Sequence, residues 1–413
     1  MPALNIALLH YAAPPVVGGV ESVLAHQARL LADAGHAVRV VAGRGAQTDP
    51  RIPFVEAPRL DSRHPAVLAV KQALDKGREP AGLAEQRAAL RTDKAGALEG
   101  VQVLIAHNVC SLHKNLALTA ALHDLAGARG GPRLVLWHHD LAWTTPRYQA
   151  ELHPGEPWDL LRNAAAWPGA VHVTISEPRR QELAGLLGLP LEAIRLAPNG
   201  VDRAAFLRLT PAAQTLWQSL NLDAAAPVLL LPVRLTPRKN VELALRALAA
   251  LRRDWPRAAL LVTGPEGPHN PANADYKRRL LALRDALGLR GAAHFAAELT
   301  PAPLADEVVA DLYRLADALL LPSREEGFGL PLVEAAFSRL PVFCADIPPL
   351  RALGGAEAAF FAPEGEPEAV AALIAGRLSA DPVYRWAARA RAEYTWTGVY
   401  TRCLAPLLAE LTG

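Results

Sequence analysis

Ser323-Arg324-Glu325-Glu326-Gly327-Phe328-Gly329-Leu330-Pro331-Leu332-Val333-Glu334-Ala335 is the stretch on which the reading of this chain turns. It follows the apolar run 318–321, the length of a buried strand, and passes into a helical pattern near Leu330. Gly327 and Gly329 let backbone approach a ligand closely, and Pro331 suits a first helical turn, where a missing N–H costs nothing. The unpaired amides and positive end of such a helix attract an anion. Glu334 falls about one turn inside, where its carboxylate can accept hydrogen bonds from vicinal ribose hydroxyls. Taken alone, the same residues also fit a plain turn and a solvated helix glutamate. A dinucleotide fold competes as well, with Asp346 where a ribose-binding acid belongs. Against that fold, Leu332 holds the third glycine position and Glu326 would repel a pyrophosphate.

Strand, glycine turn and helix repeat in both directions from this point. Upstream, the runs Leu4 to Leu9, Val38 to Ala42, Val101 to Ile105, Arg133 to Trp137, Ala170 to Ile175 and Ile194 to Ala197 alternate with helical patterns, the first from about Val20 to Ala34. After Asp202 a stretch with Pro211 and Pro227 intervenes. The alternation then restarts through Val228 to Val233, Ala259 to Thr263, His294 to Phe295, Ala318 to Leu321, Val342 to Cys344 and Ala359 to Phe361. The expectation is α/β: two doubly wound parallel domains, residues 1–205 and 225–394, with ligands at the carboxyl ends of the strands. The segment 59–94, with Val67, Val70 and Leu74 at helical spacing, reads as an exposed helical excursion; an acceptor-binding or membrane-surface element is the minority reading.

At 413 residues the chain exceeds one ordinary core, which also favours two domains. Lys and Arg total 43 against 41 for Asp and Glu, a net charge of +2 that offers no field for nucleic acid or an anionic membrane. Cys110, Cys344 and Cys403 lack the spacing of a metal or redox site and read as thiols in a reducing, cytoplasmic compartment. The first twenty residues carry no charged side chain, but Pro14, Pro15, Gly18 and Gly19 break the apolar run, so it reads as a strand rather than a signal peptide. No stretch approaches the roughly 20 apolar residues of a membrane-spanning helix, so membrane contact is expected to be peripheral at most.

The pattern resembles the retaining family 4 glycosyltransferases, whose signature is two glutamates eight apart around Gly-Phe-Gly-Leu-Pro, here Glu326 and Glu334. Gly18-Gly19-Val20-Glu21 is similar to the family's first glycine loop and Pro198-Asn199-Gly200-Val201-Asp202 to its end-of-domain turn. Arg234, Lys239 and Asn240 resemble its basic loop, and Trp396 its final helix, so residues 395–413 are expected to cross back to the N-terminal domain. The resemblance implies a GT-B fold, two Rossmann-like domains facing across a cleft, and a nucleotide-diphosphate sugar as co-substrate, with no metal and no further cofactor.

Residue by residue, the resemblance assigns the donor phosphates to Arg234, Lys239 and backbone near Gly18, Gly19, Gly327, Phe328, Gly329 and Leu330, and the ribose to Glu334. Glu326 would contact the sugar. Two fixed cations can offset the charge that builds on a leaving diphosphate, and the chain contains no Asp-x-Asp for a metal. Asn240 is read as the cap of the next helix. The family places a donor-contacting histidine before an aspartate, which selects His139 beside Asp140, with His138 an extra imidazole that leaves the choice open. His107-Asn108, also at a strand end, is a further candidate whose structural and functional readings are balanced. The acceptor is not identified. An epimerase or phosphorylase of the same fold, or a non-catalytic nucleotide-binding module, would share these residues.

Overall fold

The computed structural model describes residues 2–126, 130–266, 272–300 and 302–412. The chain divides into two compact units, Met1–Val201 with Tyr394–Gly413, and Asp202–Glu393.

Among the described residues the first unit holds a seven-stranded parallel sheet in the order β3-β2-β1-β4-β5-β6-β7. Its strands are β1 (Asn5–His10), β2 (Ala37–Ala42), β3 (Phe54–Glu56), β4 (Val103–His107), β5 (Arg133–His138), β6 (Val171–Thr174) and β7 (Ile194–Leu196). The second unit holds a six-stranded parallel sheet in the order β10-β9-β8-β11-β12-β13. These strands are β8 (Val228–Leu231), β9 (Ala259–Val262), β10 (Ala293–Phe295), β11 (Ala318–Leu321), β12 (Val342–Ala345) and β13 (Ala359–Phe361). Both are doubly wound, Rossmann-like sheets. The central strands are buried on both faces, which is why β8, β9 and β11 read as unbroken apolar runs. β8 stops at Leu231, earlier than the apolar run suggests, because Pro232 has no N–H for the ladder.

The winding direction reverses between β1 and β4 in the first sheet and between β8 and β11 in the second. At each reversal the loops leave the sheet in opposite directions and open a crevice at the carboxyl ends of the strands. His107 closes β4, and the loops that follow β1, β8 and β11 carry Gly18, Arg234 and Glu326.

The segment 59–94 is helical but is not the exposed excursion its composition suggests. The helices Pro65–Leu74 and Gly82–Ala97 bury Val70, Leu74, Leu83 and Leu90 in one cluster with Leu104 and Leu136 of the sheet. Apolar residues at helical spacing were therefore a core stripe. The helix Pro211–Ser219, ahead of β8, packs Ala213 and Trp217 into the core of the second unit. The final stretch joins the first unit: Leu404, Leu407, Leu408 and Leu411 share a core with Ile6, Leu8, Leu24 and Trp137. Trp396 stacks on His26 at 5.0 Å, and a Cβ on Gly200 would sit 2.5 Å from the Trp396 ring, so only glycine fits there. Val201 N–H donates to the Tyr394 carbonyl at 2.7 Å, so the chain leaves and re-enters the first unit at one point. No helix among the described residues is long and apolar enough to cross a membrane.

One buried ion pair ties the second sheet together from below. Asp317, just ahead of β11, accepts both guanidinium branches of Arg391 at 2.9 and 2.8 Å and the Val228 N–H of β8 at 2.7 Å. Both side chains are 5% exposed. Removing one member of such a pair costs about 3–5 kcal/mol, because the other charge stays in low dielectric. Asp317→Ala is expected to lower the stability of the second unit by that amount, read as a shift in its urea midpoint with the first unit's transition unchanged.

Candidate functional site

In the second unit, β8 leads into the basic loop. Gly264, at the end of β9, lets that loop lie against the neighbouring strand: a Cβ there would fall 2.0 Å from the Val233 carbonyl and 2.6 Å from the Arg234 nitrogen. Arg234 is exposed. A single turn, Pro237–Lys239, then brings Lys239 under the loop that follows β11, where its ammonium meets the Glu326 carboxylate at 2.5 Å. The two side chains are 11% and 8% exposed. Hydrogen bonds to main-chain carbonyls hold the loops in register. Arg324 N–H donates to the Arg238 carbonyl at 2.8 Å, Arg238 donates to the Glu325 carbonyl at 3.2 Å, and Arg324 donates to the Pro237 carbonyl at 3.3 Å. Asn240 does not cap the helix Val241–Leu251. Its backbone is left-handed at φ 52°, and its amide donates instead to the Pro363 carbonyl at 2.9 Å, fastening the basic loop to the loop beyond β13.

The glycine turn after β11 divides its work. Gly329 has φ 102°, and a Cβ there would strike Leu350 at 2.6 Å; Gly327 has open space around it. The helix Leu330–Phe337 starts with Pro331 in its first turn and buries Leu332 and Ala335. Phe328 and Leu330 stay exposed. Glu334 is exposed and accepts a hydrogen bond from the Tyr313 hydroxyl at 2.5 Å. Tyr313 is buried on the preceding helix, Asp306–Leu315; burial first, and then the bond to Glu334, push its phenol well above the ordinary range, so it remains a donor. Asp346, the acid of the competing dinucleotide reading, is exposed and ion-paired with Arg351.

In the first unit the strand ends carry histidines. Gly18 is in extended backbone, φ −177°, and a Cβ there would lie 2.1 Å from the Glu21 carboxylate, the mobile end of a side chain that folds back over the start of the helix Gly19–Asp33. That carboxylate already lies against Gly18 at the helix's positive end, whereas nothing lies within 4 Å of a Cβ on Gly19. His10, the last residue of β1, donates through Nδ1 to the His107 carbonyl at 2.8 Å, and its Nε2 lies 4.0 Å from Glu21. His107 Nδ1 meets His139 Nε2 at 3.1 Å. Asn108, left-handed at φ 58°, accepts the N–H groups of His139 and Asp140 on one side-chain oxygen at 2.8 and 3.1 Å and so fixes the turn that carries His139. His138 turns the other way and stacks on His172, with Nε2 and Nδ1 3.1 Å apart. Between the two adjacent histidines, therefore, His139 is the one that stands with His107.

Burial keeps all of these imidazoles neutral. It is the leading cause of the lowered pKa at His10, of the much lower values at His107 and His138, and of values near 4 at His139 and His172.

Each unit thus gathers its own set: Arg234, Lys239, Glu326 and the 327–330 turn with Glu334 in the second, and Gly18, Gly19, His107 and His139 in the first. Sequence reasoning missed His10, Gly264 and Tyr313. A histidine closing β1 matches one closing β4 and was legible by position; the other two act through contacts with chain remote in sequence. Elsewhere, Asp75, His113 and Glu151 bring ligand atoms within 4.8 Å of one another, but the Lys71 ammonium already lies 2.6 Å from Asp75 and 2.9 Å from Glu151 and supplies the positive charge.

Two family models match the chain, one described as Glycosyltransferase Family 4 over residues 17–205 and one as Glycosyl transferases group 1 over residues 214–393. The D-inositol 3-phosphate glycosyltransferase of Kineococcus radiotolerans is 32% identical over 231 residues, 53% of this chain and 51% of that protein, so the aligned region spans about half its length. The protein of the same description from Thermobispora bispora is 30% identical over 340 residues, 81% of this chain and 75% of that protein. A glycosyltransferase structure from Rickettsia africae ESF-5 aligns over 100% of this chain and 99% of that one, at 16% identity and a TM-score of 0.40.

The neutral histidines set a pH dependence. A histidine near 4 when folded and 6.5 when unfolded binds its proton earlier in the unfolded chain. Its contribution is therefore whole above pH 6.5 and is lost as pH falls from there towards 4. Each of His139 and His172 is expected to cost about 1.4 kcal/mol per pH unit inside that window. Urea midpoints measured from pH 7 to 4.5 should fall at least as steeply as the two together require, His10, His107 and His138 adding to the slope, and His139→Gln and His172→Gln should each flatten it.

Proposed function

This chain belongs to the family 4 glycosyltransferases, and from that premise we propose that it transfers a hexose from a nucleoside diphosphate sugar to an acceptor, with retention and without a metal ion. The observation that carries the reading is the near-buried Lys239–Glu326 pair, with exposed Arg234 on the same loop as Lys239, at the winding reversal of the second sheet. Lys239 is held by a carboxylate that can be exchanged for another anion. As the sugar–phosphate bond breaks, charge grows on the diphosphate, and Arg234 and Lys239 are fixed cations able to meet it in a partly dry setting. Glu326, released from Lys239, is then free to accept hydrogen bonds from sugar hydroxyls. Glu334, steadied by Tyr313, takes the ribose hydroxyls, and amides of the 327–330 turn take phosphate oxygens.

His139 contributes a neutral imidazole to the donor sugar. Gly19 has the open approach for a backbone contact that Gly18 shares with Glu21. The acceptor oxygen attacks the anomeric carbon from the face the diphosphate is leaving, and its proton passes to the departing phosphate oxygen. A cytoplasmic location fits Cys110, Cys344 and Cys403, which form no disulfide.

The reading is tested first by melting temperature against UDP-, GDP- and ADP-hexoses, since a ligand of the folded state raises stability. Turnover with the stabilising donor is expected to persist in excess chelator; loss in chelator with recovery on added magnesium or manganese would overturn the cationic mechanism. Lys239→Ala should depress kcat more than it weakens donor binding.

The two glutamates should separate. Glu334→Ala is expected to weaken diphosphate and intact donor alike by roughly ten- to a hundredfold, the worth of a charged hydrogen bond at about 1.4 kcal/mol per tenfold. Glu326→Ala frees Lys239 for the phosphates, so diphosphate affinity should hold or rise while transfer falls. Calorimetric binding of diphosphate and donor to each variant, alongside transfer rates, gives both results, and the opposite pattern would reverse the two roles.

A further inference from the structure

Two neutral imidazoles facing each other at 3.1 Å share one hydrogen, and which ring holds it decides what His139 offers to a ligand. If His107 donates from Nδ1, its Nε2 is a bare acceptor and His139 carries its own hydrogen on Nδ1. If His139 donates from Nε2, His107 carries an N–H on Nε2 and His139 Nδ1 is bare. The surroundings of His107 separate the two cases. His107 is fully buried, and its Nε2 has no hydrogen-bond partner. An N–H there would be an orphan donor in the core, which folded proteins rarely contain.

The neighbouring ring makes the choice sharper. Trp137 lies 5.6 Å from His107, centroid to centroid, and its indole nitrogen, a donor only, is likewise buried without a partner. A bare His107 Nε2 leaves one unpartnered acceptor and one unpartnered donor on neighbouring rings, complementary in kind. The other arrangement leaves two donors and nothing to receive them. The His107 carbonyl is also engaged, by the His10 Nδ1–H, so His10 steadies the residue that carries this ring.

We propose that His107 is a positioning residue that fixes His139 as the Nδ1–H tautomer, so that His139 presents a hydrogen-bond donor to an oxygen of the bound donor and is not a proton acceptor in the reaction. Burial holds both rings neutral, so the arrangement persists across neutral pH. The assignment rests on His139 facing the donor, and the two ideas fail differently.

The test is nitrogen-15 NMR of the full chain with labelled histidine, the His139 ring assigned through His139→Gln. A protonated Nδ1 and a bare Nε2 in the ligand-free protein are expected; a protonated Nε2 on His139 overturns the proposal. His107→Asn keeps a short amide donor near the place of Nδ1 and should preserve the tautomer. His107→Phe should let His139 exchange between both forms, and an unchanged Nδ1–H in that variant removes His107 from the role. UDP-glucose, GDP-mannose and ADP-glucose are then added. A shift of the Nδ1–H signal with one of them supports the donor contact. A correct tautomer whose signal none of the three moves overturns the contact with the donor while leaving the positioning role intact.

Discussion

A parallel strand can be followed by another only after the chain has crossed a face of the sheet, and that constraint decides where polar chemistry can stand in this molecule. With helices on both faces, the middles of β8, β9 and β11 are sealed and wholly apolar. Reactive side chains are left with the strand ends and the loops beyond them. His10 and His107 are last residues of β1 and β4, and His139 follows β5 directly. Arg234 and Glu326 come a few residues after β8 and β11. The reversal of winding then selects one pair of strands in each sheet whose loops diverge, and both sets of candidate residues sit there or one strand away.

The two units handle polarity differently. In the first, buried imidazoles are kept neutral by desolvation and are joined to one another by hydrogen bonds. In the second, the ammonium and carboxylate of Lys239 and Glu326 are nearly as buried but are held by each other. A buried ion pair is poor value as a source of stability, since a well-packed apolar pair often serves as well or better. The loop that carries it is held as well by hydrogen bonds to the main-chain carbonyls of Pro237, Arg238 and Glu325.

Most of the scaffold was legible from alternation alone, because β-strands buried on both faces announce themselves as short apolar runs. What eluded reading had its cause in three dimensions. The helices of 59–94 looked exposed because their sequence is rich in charge, yet Val70, Leu74, Leu83 and Leu90 form a stripe that closes the core. Asn240 has the residue type and position of a helix cap, but Pro363, distant in sequence, offers a better acceptor. Tyr313 and Gly264 carry no local signal; each matters through one contact, with Glu334 and with Val233.

The path of the chain has a consequence for how the protein is born. The second unit is an insertion, entered after Val201 and left at Tyr394, two residues joined by a hydrogen bond. A ribosome delivers that whole insertion before it delivers Leu404, Leu407, Leu408 and Leu411, which complete the core around Ile6, Leu8 and Leu24. At ordinary rates of synthesis, the nascent first unit waits on the order of ten seconds or more with part of one face of its sheet uncovered. The domain made first is therefore the one that closes last, and the interval in which its apolar strands are open to wrong partners is set by the length of the other domain.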